Sequence, residues 1–410
     1  MSKRLNKLFF SFLAFLVIFI YIFNPYTKIG PLLYFLSPIF IFCFYYKFKY
    51  LGKEVLLSLF LLVLISLVGV ISSLYHDIFQ LNHFKISFSI VLSVFISYVL
   101  SVYYFKKGYT LNDLVYFITL ASAANAIIVI CEVLYPAFRG YIESFLVDSG
   151  NRDWATGIRY RGLASSGGAG LSLMAPITFI AALHLYKEKY IGIMKLGTFV
   201  IITLAATFYT GRSGLILVPL VLLLYIVFTI KKHVLSVSTF FIVFSSCFVL
   251  YVDEIKDFLI LALGQGLFDY SVGFMFRGGD GLADEGTIST IFRFLKVVPY
   301  TFPEVIVGYG FYGGSDFYPW TDSGYSRMLL SVGWVLGISY YLIFFFPYRN
   351  IVKIYPFLLL SMAIVLLIAE AKEPFIFSGY ASRVFLFLLV ATLVKSNFEY
   401  SNLDKSRMVK

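Results

Sequence analysis

Apolar runs of about the length needed to cross a bilayer recur along almost the whole chain, near residues 8–23, 29–46, 55–75, 84–105, 114–135, 169–186, 191–209, 213–230, 234–252, 327–347, 354–369 and 380–395. A helix crossing ~30 Å of hydrocarbon needs about 20 apolar residues. In lipid every backbone N–H and C=O has to be satisfied within the protein, so such runs leave few folds open. The expectation is an all-α polytopic membrane protein with about twelve transmembrane helices. Composition agrees: 60% of the 410 residues are hydrophobic and 20% aromatic, with a mean hydropathy of +0.88, more apolar surface than a soluble core absorbs.

Only 13% of residues are charged, and the formal net charge is +11. In a soluble protein that excess would suggest nucleic acid. Here the cations fall between apolar runs, so membrane lipids and an anionic substrate are the expected partners and nucleic acid is not. Short basic loops stay cytoplasmic. With the N-terminus inside, every inner segment is basic, from Lys3, Arg4 and Lys7 through Lys47, Lys49 and Lys53, Lys106 and Lys107, Lys187 and Lys189, Lys231 and Lys232, Arg349 and Lys353, to Lys395, Lys405, Arg407 and Lys410. The first apolar run meets Asn24 and Pro25 with no small-residue cleavage pattern, so it reads as a retained membrane helix. Both termini are expected in the cytoplasm. Cys43, Cys131 and Cys247 each lie in an apolar run and read as small core residues, not as a disulfide or metal set.

That orientation leaves two long outward loops, 136–168 and 253–326. The chain then divides into 1–252 with nine spans and the first loop, the large loop 253–326, and 327–410 with three spans and a cytoplasmic tail. A very tight outer turn falls at Thr210, Gly211, Arg212 and Ser213, and a short outer segment runs from Glu370 to Gly379. The inner face is mostly lysine, whereas the outer face carries Arg139, Arg152, Arg159, Arg161, Arg212, Arg277, Arg293 and Arg327. Arginine grips phosphate bidentately and keeps its charge.

The first loop ends on Arg159, Tyr160, Arg161 and Gly162, then on small residues through Gly170 that open the sixth span. Small residues let backbone N–H groups approach a ligand, so the stretch reads as an anion site, or as a glycine-rich turn with solvated arginines. Arg212, at the edge of the hydrocarbon, needs a partner or snorkels to headgroups. In the large loop a glycine-rich turn surrounds Arg277. Beyond it the spacing predicts an amphipathic helix over Ile288–Val298, capped by Thr287 or Ser289, with Arg293 and Lys296 on one face. That helix reads as interfacial, holding its two cations where a lipid diphosphate sits, or simply as a membrane-surface helix. Asp322 and Ser323 precede Arg327, and Glu370 and Glu373 flank Lys372. A carboxylate in either cluster reads as a base for a sugar hydroxyl, as a group that orients the sugar, or as half of a structural ion pair. His76 and His83 fall in a short outer loop, and neither long loop contains histidine. No metal-ligand spacing, phosphate loop, dinucleotide fingerprint or Ser, His, Asp arrangement occurs, so no cofactor is expected.

In their order and outward placement, the two large loops, Arg159 to Gly170, the turn Thr210 to Gly214, Gly308 to Gly310, Thr321 to Tyr325 and Glu370 to Phe375 resemble the Wzy family of O-antigen and capsular polysaccharide polymerases. The resemblance runs chiefly from residue 114 onward. It implies a multi-pass glycosyltransferase of the bacterial inner membrane with two periplasmic loops. Such an enzyme transfers a growing glycan from undecaprenyl diphosphate to the non-reducing end of a lipid-linked repeat unit. Undecaprenyl-diphosphate-linked oligosaccharides are then the substrates, and a chain-length regulator and a flippase of the same pathway the protein partners. In the family's two-loop scheme each loop carries an arginine-to-glycine motif; Arg159 to Gly170 fits the first, and the second loop departs from the spacing. On this basis Arg161, Arg212 and Arg293 are expected to cradle the diphosphate, and Asp322 to act as base or acceptor-orienting group. Arg159, Gly170, Arg277, Lys296, Arg327, Glu370 and Lys372 are expected to contact substrate. An O-antigen ligase shares the architecture but uses a histidine of the large loop, absent from 253–326. A flippase would show related halves and short outer loops.

The orientation is testable. In a background with Cys43, Cys131 and Cys247 replaced, a cysteine at Gly279 should react with a membrane-impermeant maleimide added from outside the inner membrane. Labelling solely from the cytoplasmic side would overturn the topology.

Overall fold

The computed structural model describes residues 2–33, 50–77, 79–147, 159–229, 251–266, 268, 273, 287–312 and 320–408. The apolar runs form helices: α1 (Ser2–Phe23), α2 (Lys53–Tyr75), α3 (Asn82–Lys106), α4 (Leu111–Leu134), α5 (Pro136–Phe145), α6 (Ala169–Ser172), α7 (Met174–Lys187), α8 (Ile193–Thr210) and α9 (Arg212–Thr229). These are followed by α10 (Val252–Leu263), α11 (Thr287–Leu295), α12 (Phe302–Val307), α13 (Gly324–Phe345), α14 (Pro356–Glu370) and α15 (Tyr380–Met408). A two-residue antiparallel pair, β1 (Tyr26–Thr27) and β2 (Gly30–Pro31), follows α1. Among the described residues seven helices are long and apolar enough to cross a membrane, and three shorter ones, Phe10–Phe23, Arg212–Phe228 and Pro356–Glu370, are apolar too. The protein is thus an all-α membrane-embedded chain. Most of the expected spans 29–46 and 234–252, and the turn around Arg277, lie outside the described residues.

The chain forms two compact units, one of Met1–Leu32 with Tyr116–Thr290, the other of Leu33–Val115 with Ile291–Lys410. In the first, α7, α8 and α9 pack on one another. A single residue, Gly211, separates α8 from α9, as the tight turn requires. A Cβ at Gly211 would lie 3.1 Å from the Gly168 carbonyl carbon, and one at Gly214 would collide with the Ser172 carbonyl. The Gly214 N–H donates to Ser172 Oγ at 3.1 Å. The two small-residue stretches, distant in sequence, are therefore one backbone contact. The sixth span runs over Ala169–Lys187, with Leu173 keeping helical backbone angles between α6 and α7. Hydroxyls inside α8 are satisfied locally, Thr203 Oγ1 bonding the Phe199 carbonyl at 2.7 Å and Thr207 Oγ1 that of Thr203 at 2.6 Å.

In the second unit α15 packs on α3, and α2 on α13. The tenth span, expected as one helix over 327–347, is two. Gly333 takes φ 78° and ψ 177° inside α13. In a straight helix Tyr325 and Tyr341 would stand about 24 Å apart along the axis. Their ring centroids are 5.3 Å apart, and a Cβ on Gly337 would meet Leu329 Cδ2 at 3.0 Å. The helix folds back on itself at Gly333. Carbonyls freed by the break find donors on the chain around Gly308 to Gly310, where Tyr309 N–H reaches the Leu330 carbonyl at 2.7 Å and Gly310 N–H that of Ser331 at 3.0 Å. Ser72 Oγ donates to the Gly308 carbonyl at 2.7 Å, and a Cβ on Gly308 would lie 2.6 Å from Gly333 N. Burial of Tyr340, Phe344 and Phe377 around one another closes this core.

Gly333→Ala tests the fold-back. A Cβ there meets the Ile306 carbonyl, and the residue would keep a left-handed φ. Such a backbone, open essentially to glycine alone, costs about 1–3 kcal/mol, and overpacking about 1–3 kcal/mol more. Purified protein should show a clearly lower melting temperature; wild-type thermal stability would contradict the fold-back.

Candidate functional site

In the first unit α4 and α5 build the wall on which the arginine loop lies. The loop's turn is held by its backbone. Gly162 N–H donates to Glu132 Oε2 at 3.0 Å, Leu163 N–H to Asn125 Oδ1 at 2.9 Å, and Asn125 Nδ2 to the Arg161 carbonyl at 3.3 Å. Gly162 has φ +60°, and a Cβ on it would stand 2.7 Å from Asn125 Oδ1, so glycine is required twice over. Tyr160 N–H bonds the Tyr209 carbonyl at 3.1 Å, and Ser165 N–H that of Phe23.

The arginines are engaged with this frame. Arg161 Nη1 donates to the carbonyls of Val147 at 3.2 Å and Ser165 at 3.3 Å. Arg139 pairs with Glu143 at 2.9 Å, and its guanidinium lies 4.5 Å from the centroid of the Tyr160 ring. A Cβ on Gly168 would meet Arg159 Nη1 at 3.1 Å, which places the Arg159 guanidinium over the small-residue turn. Gly170 lies in α6, and Arg212 opens α9 directly after Gly211, the residue that touches Gly168. Arg159, Arg161, Arg212 and Gly170 thus belong to one neighbourhood. A cavity of about 20 Å³ lined by Ser122, Asn125, Leu171, Thr203, Thr207 and Thr210 sits in this unit, room for a water but not for a sugar.

Helix α11 covers Thr287–Leu295, shorter than expected, and its residues from Ile291 onward belong to the second unit. Ser289 lies inside it, and Lys296 stands just past its end, its N–H bonded to the Arg293 carbonyl at 3.3 Å. The Phe294 carbonyl accepts from Thr321 Oγ1 at 3.0 Å and from Ser326 Oγ at 2.9 Å, which brings Arg293, an exposed residue, to the turn that carries Asp322. Asp322 is not an isolated carboxylate: Arg327 Nη2 donates to its Oδ1 at 2.9 Å while Arg327 Nε donates to the Thr321 carbonyl at 2.9 Å. The pair is partly exposed, with side-chain accessibilities of 19% for Arg327 and 39% for Asp322.

The stretch Glu370 to Gly379 is partly buried against the protein. Phe375, Ile376 and Phe377 are buried and Glu370 is 0% exposed. Glu370 Oε1 accepts from Tyr341 OH at 2.8 Å and Oε2 from Ile376 N–H at 2.7 Å. Gly324 packs on the same carboxylate, where a Cβ would collide with Oε1. Both oxygens therefore bind the fold-back helix and the turn after α14 to one another. Lys372, in that turn, is partly buried.

Sequence reasoning missed the histidines. His83 is not in a loop; it lies in α3, buried, with Nδ1 2.9 Å from Ser331 Oγ and its ring stacked on Tyr312 at 5.3 Å. His76 ends α2, with its ring 5.5 Å from that of Tyr309. The large loop lacks histidine in sequence, yet two histidines sit against its residues 309 and 312. Gln80 Oε1 accepts from Tyr312 N–H at 3.1 Å, fixing that contact. The Tyr312 phenol is pushed well above its ordinary range, first by burial and then by the negative charge of Glu370, with Arg327 acting in the opposite sense. It remains a neutral hydroxyl. A histidine in the last turn of one helix and another in the first turn of the next was the available signal.

Glu370→Ala should leave two buried donors without an acceptor, at about 1–3 kcal/mol each. A large fall in melting temperature is expected, most of it recovered in Glu370→Gln, which keeps an acceptor. Thermal unfolding of Glu370→Ala at the wild-type temperature would show the carboxylate to be dispensable to the fold.

Comparison with protein-family models, curated proteins and solved structures returns no match for the chain.

Proposed function

We propose that the chain is a polysaccharide polymerase of the bacterial inner membrane, with about twelve spans, two periplasmic loops and both termini in the cytoplasm. It transfers a growing glycan from undecaprenyl diphosphate to the non-reducing end of a lipid-linked repeat unit, alongside a flippase and a chain-length regulator. The observation that carries the reading is the first unit's gathering of Arg159, Arg161 and Arg212 about one small-residue turn braced by α4. An arginine held in place by backbone carbonyls, as Arg161 is, suits a diphosphate better than a neutral ligand.

In the reaction the bond from sugar C1 to the diphosphate oxygen breaks, and an acceptor hydroxyl oxygen bonds to C1. The hydroxyl proton passes to a base, and undecaprenyl diphosphate leaves carrying the electron pair. Charge develops on that leaving group, and preorganised guanidinium donors stabilise it. Arg161 and Arg212 of the first unit are assigned to it. Losing one such donor should slow the reaction about a hundredfold. Asp322, polarised by Arg327, orients the acceptor sugar or takes its proton.

A second reading, glycan ligase, gains from one observation. His76 and His83 pack on Tyr309 and Tyr312, so the large loop has histidines beside it after all.

Deleting the gene in its host and resolving surface glycan by size separates these readings. Collapse of the long ladder to single repeat units is expected. Loss of all surface glycan, with full-length chains held on the lipid carrier, would mean ligase; an unchanged ladder would refute both.

A further inference from the structure

Two polar residues of α4 brace the arginine turn, and no chemical role has been assigned to either. Asn125 and Glu132 lie seven residues apart, about two turns, so they stand on one face of that helix. Both are buried, at 2% exposure each. An asparagine and a carboxylate inside an apolar membrane helix are costly, and such residues are retained for a task. Their hydrogen bonds all go to the backbone of Arg161, Gly162 and Leu163. Glu132 Oε1 has no hydrogen-bond partner among the described residues, a further cost of about 1–3 kcal/mol that a purely structural acceptor would not need to incur.

We propose that Asn125 and Glu132 are positioning residues that hold the Arg161–Leu163 turn so that Arg159 and Arg161 present a preformed site for a diphosphate. The inference rests on the polymerase reading of that loop and extends it to residues that touch no substrate. The turn supplies its own logic. Gly162 in the left-handed region reverses the chain between the two anchored peptides, and the Arg161 side chain, clamped to Val147 and Ser165, inherits that direction. Were the anchors cut, the loop would keep its arginines but not their placement, and affinity would fall with charge unchanged.

The test uses the full chain purified in detergent, with inorganic pyrophosphate as the probe and calorimetric affinity as the readout. Wild type should bind, and Arg161→Ala should lose binding. Glu132→Ala should weaken binding about tenfold, and Glu132→Gln, which still offers an oxygen to Gly162 N–H, should return it to within about twofold. In an Arg161→Lys background Glu132→Ala should matter much less, because a positioning effect acts through the arginine. If Glu132→Ala does not give a monodisperse peak, Asn125→Ala against Asn125→Asp makes the same comparison through Leu163 N–H. Wild-type affinity in both alanine variants, or a Glu132→Gln as weak as Glu132→Ala, overturns the positioning role while leaving the anion site standing. Absence of pyrophosphate binding by wild type, or undiminished binding by Arg161→Ala, overturns the reading of the loop itself.

Discussion

Peptide groups that leave a helix inside an apolar protein have to be paired by the protein, since lipid offers no partner. Both polar regions of this chain follow from that constraint. At Gly333 the helix breaks, and the freed carbonyls of Leu330 and Ser331 are met by Tyr309 and Gly310. At the arginine loop the N–H groups of Gly162 and Leu163 are met by Glu132 and Asn125. Glycine at 162, 308 and 333 makes these approaches possible, because a side chain at any of them would strike the partner segment.

The same pairing governs the charges. A buried carboxylate is tolerated when its lone pairs are occupied, and breaking such an arrangement costs more than the arrangement contributes. Glu370 accepts from Tyr341 and Ile376 and so joins the fold-back to the segment after α14. The more exposed Asp322 and Arg327 form an ion pair whose worth to stability is small in water. Loss of the Glu370 carboxylate should therefore cost more stability than loss of the Asp322–Arg327 pair. The first unit divides its cations: Arg139 is spent on Glu143 and the Tyr160 ring, while Arg159 lies over the Gly168 turn.

Much of the fold was legible from residue order alone. The turn at Thr210 to Ser213 is one residue long between α8 and α9, as its length demanded, and the runs 55–75 and 84–105 are helices nearly end to end. Gly308 and Gly310 stand out in sequence, though not their purpose, which is to lie against the helix break at Gly333. The extent of α11 is less legible, because periodicity does not mark where a short helix stops; its last turn closes at Leu295. The sequence around His83 reads as a loop, since a polar residue at a helix end carries no sign of the Tyr312 ring stacked on it.

The order of residues by itself determined an all-α membrane-embedded chain, the extents of most helices, and the clustering of arginine in a few connecting segments. Hydropathy and helical period are local quantities, and lipid leaves them one solution. Only the tertiary structure decided that α13 doubles back, that Glu370 serves the interior, and that Asn125 and Glu132 face the arginine loop. Two short helices joined at Gly333 have the same period and hydropathy as one long one. What separates them is a single backbone angle and hydrogen bonds to residues far away in the chain.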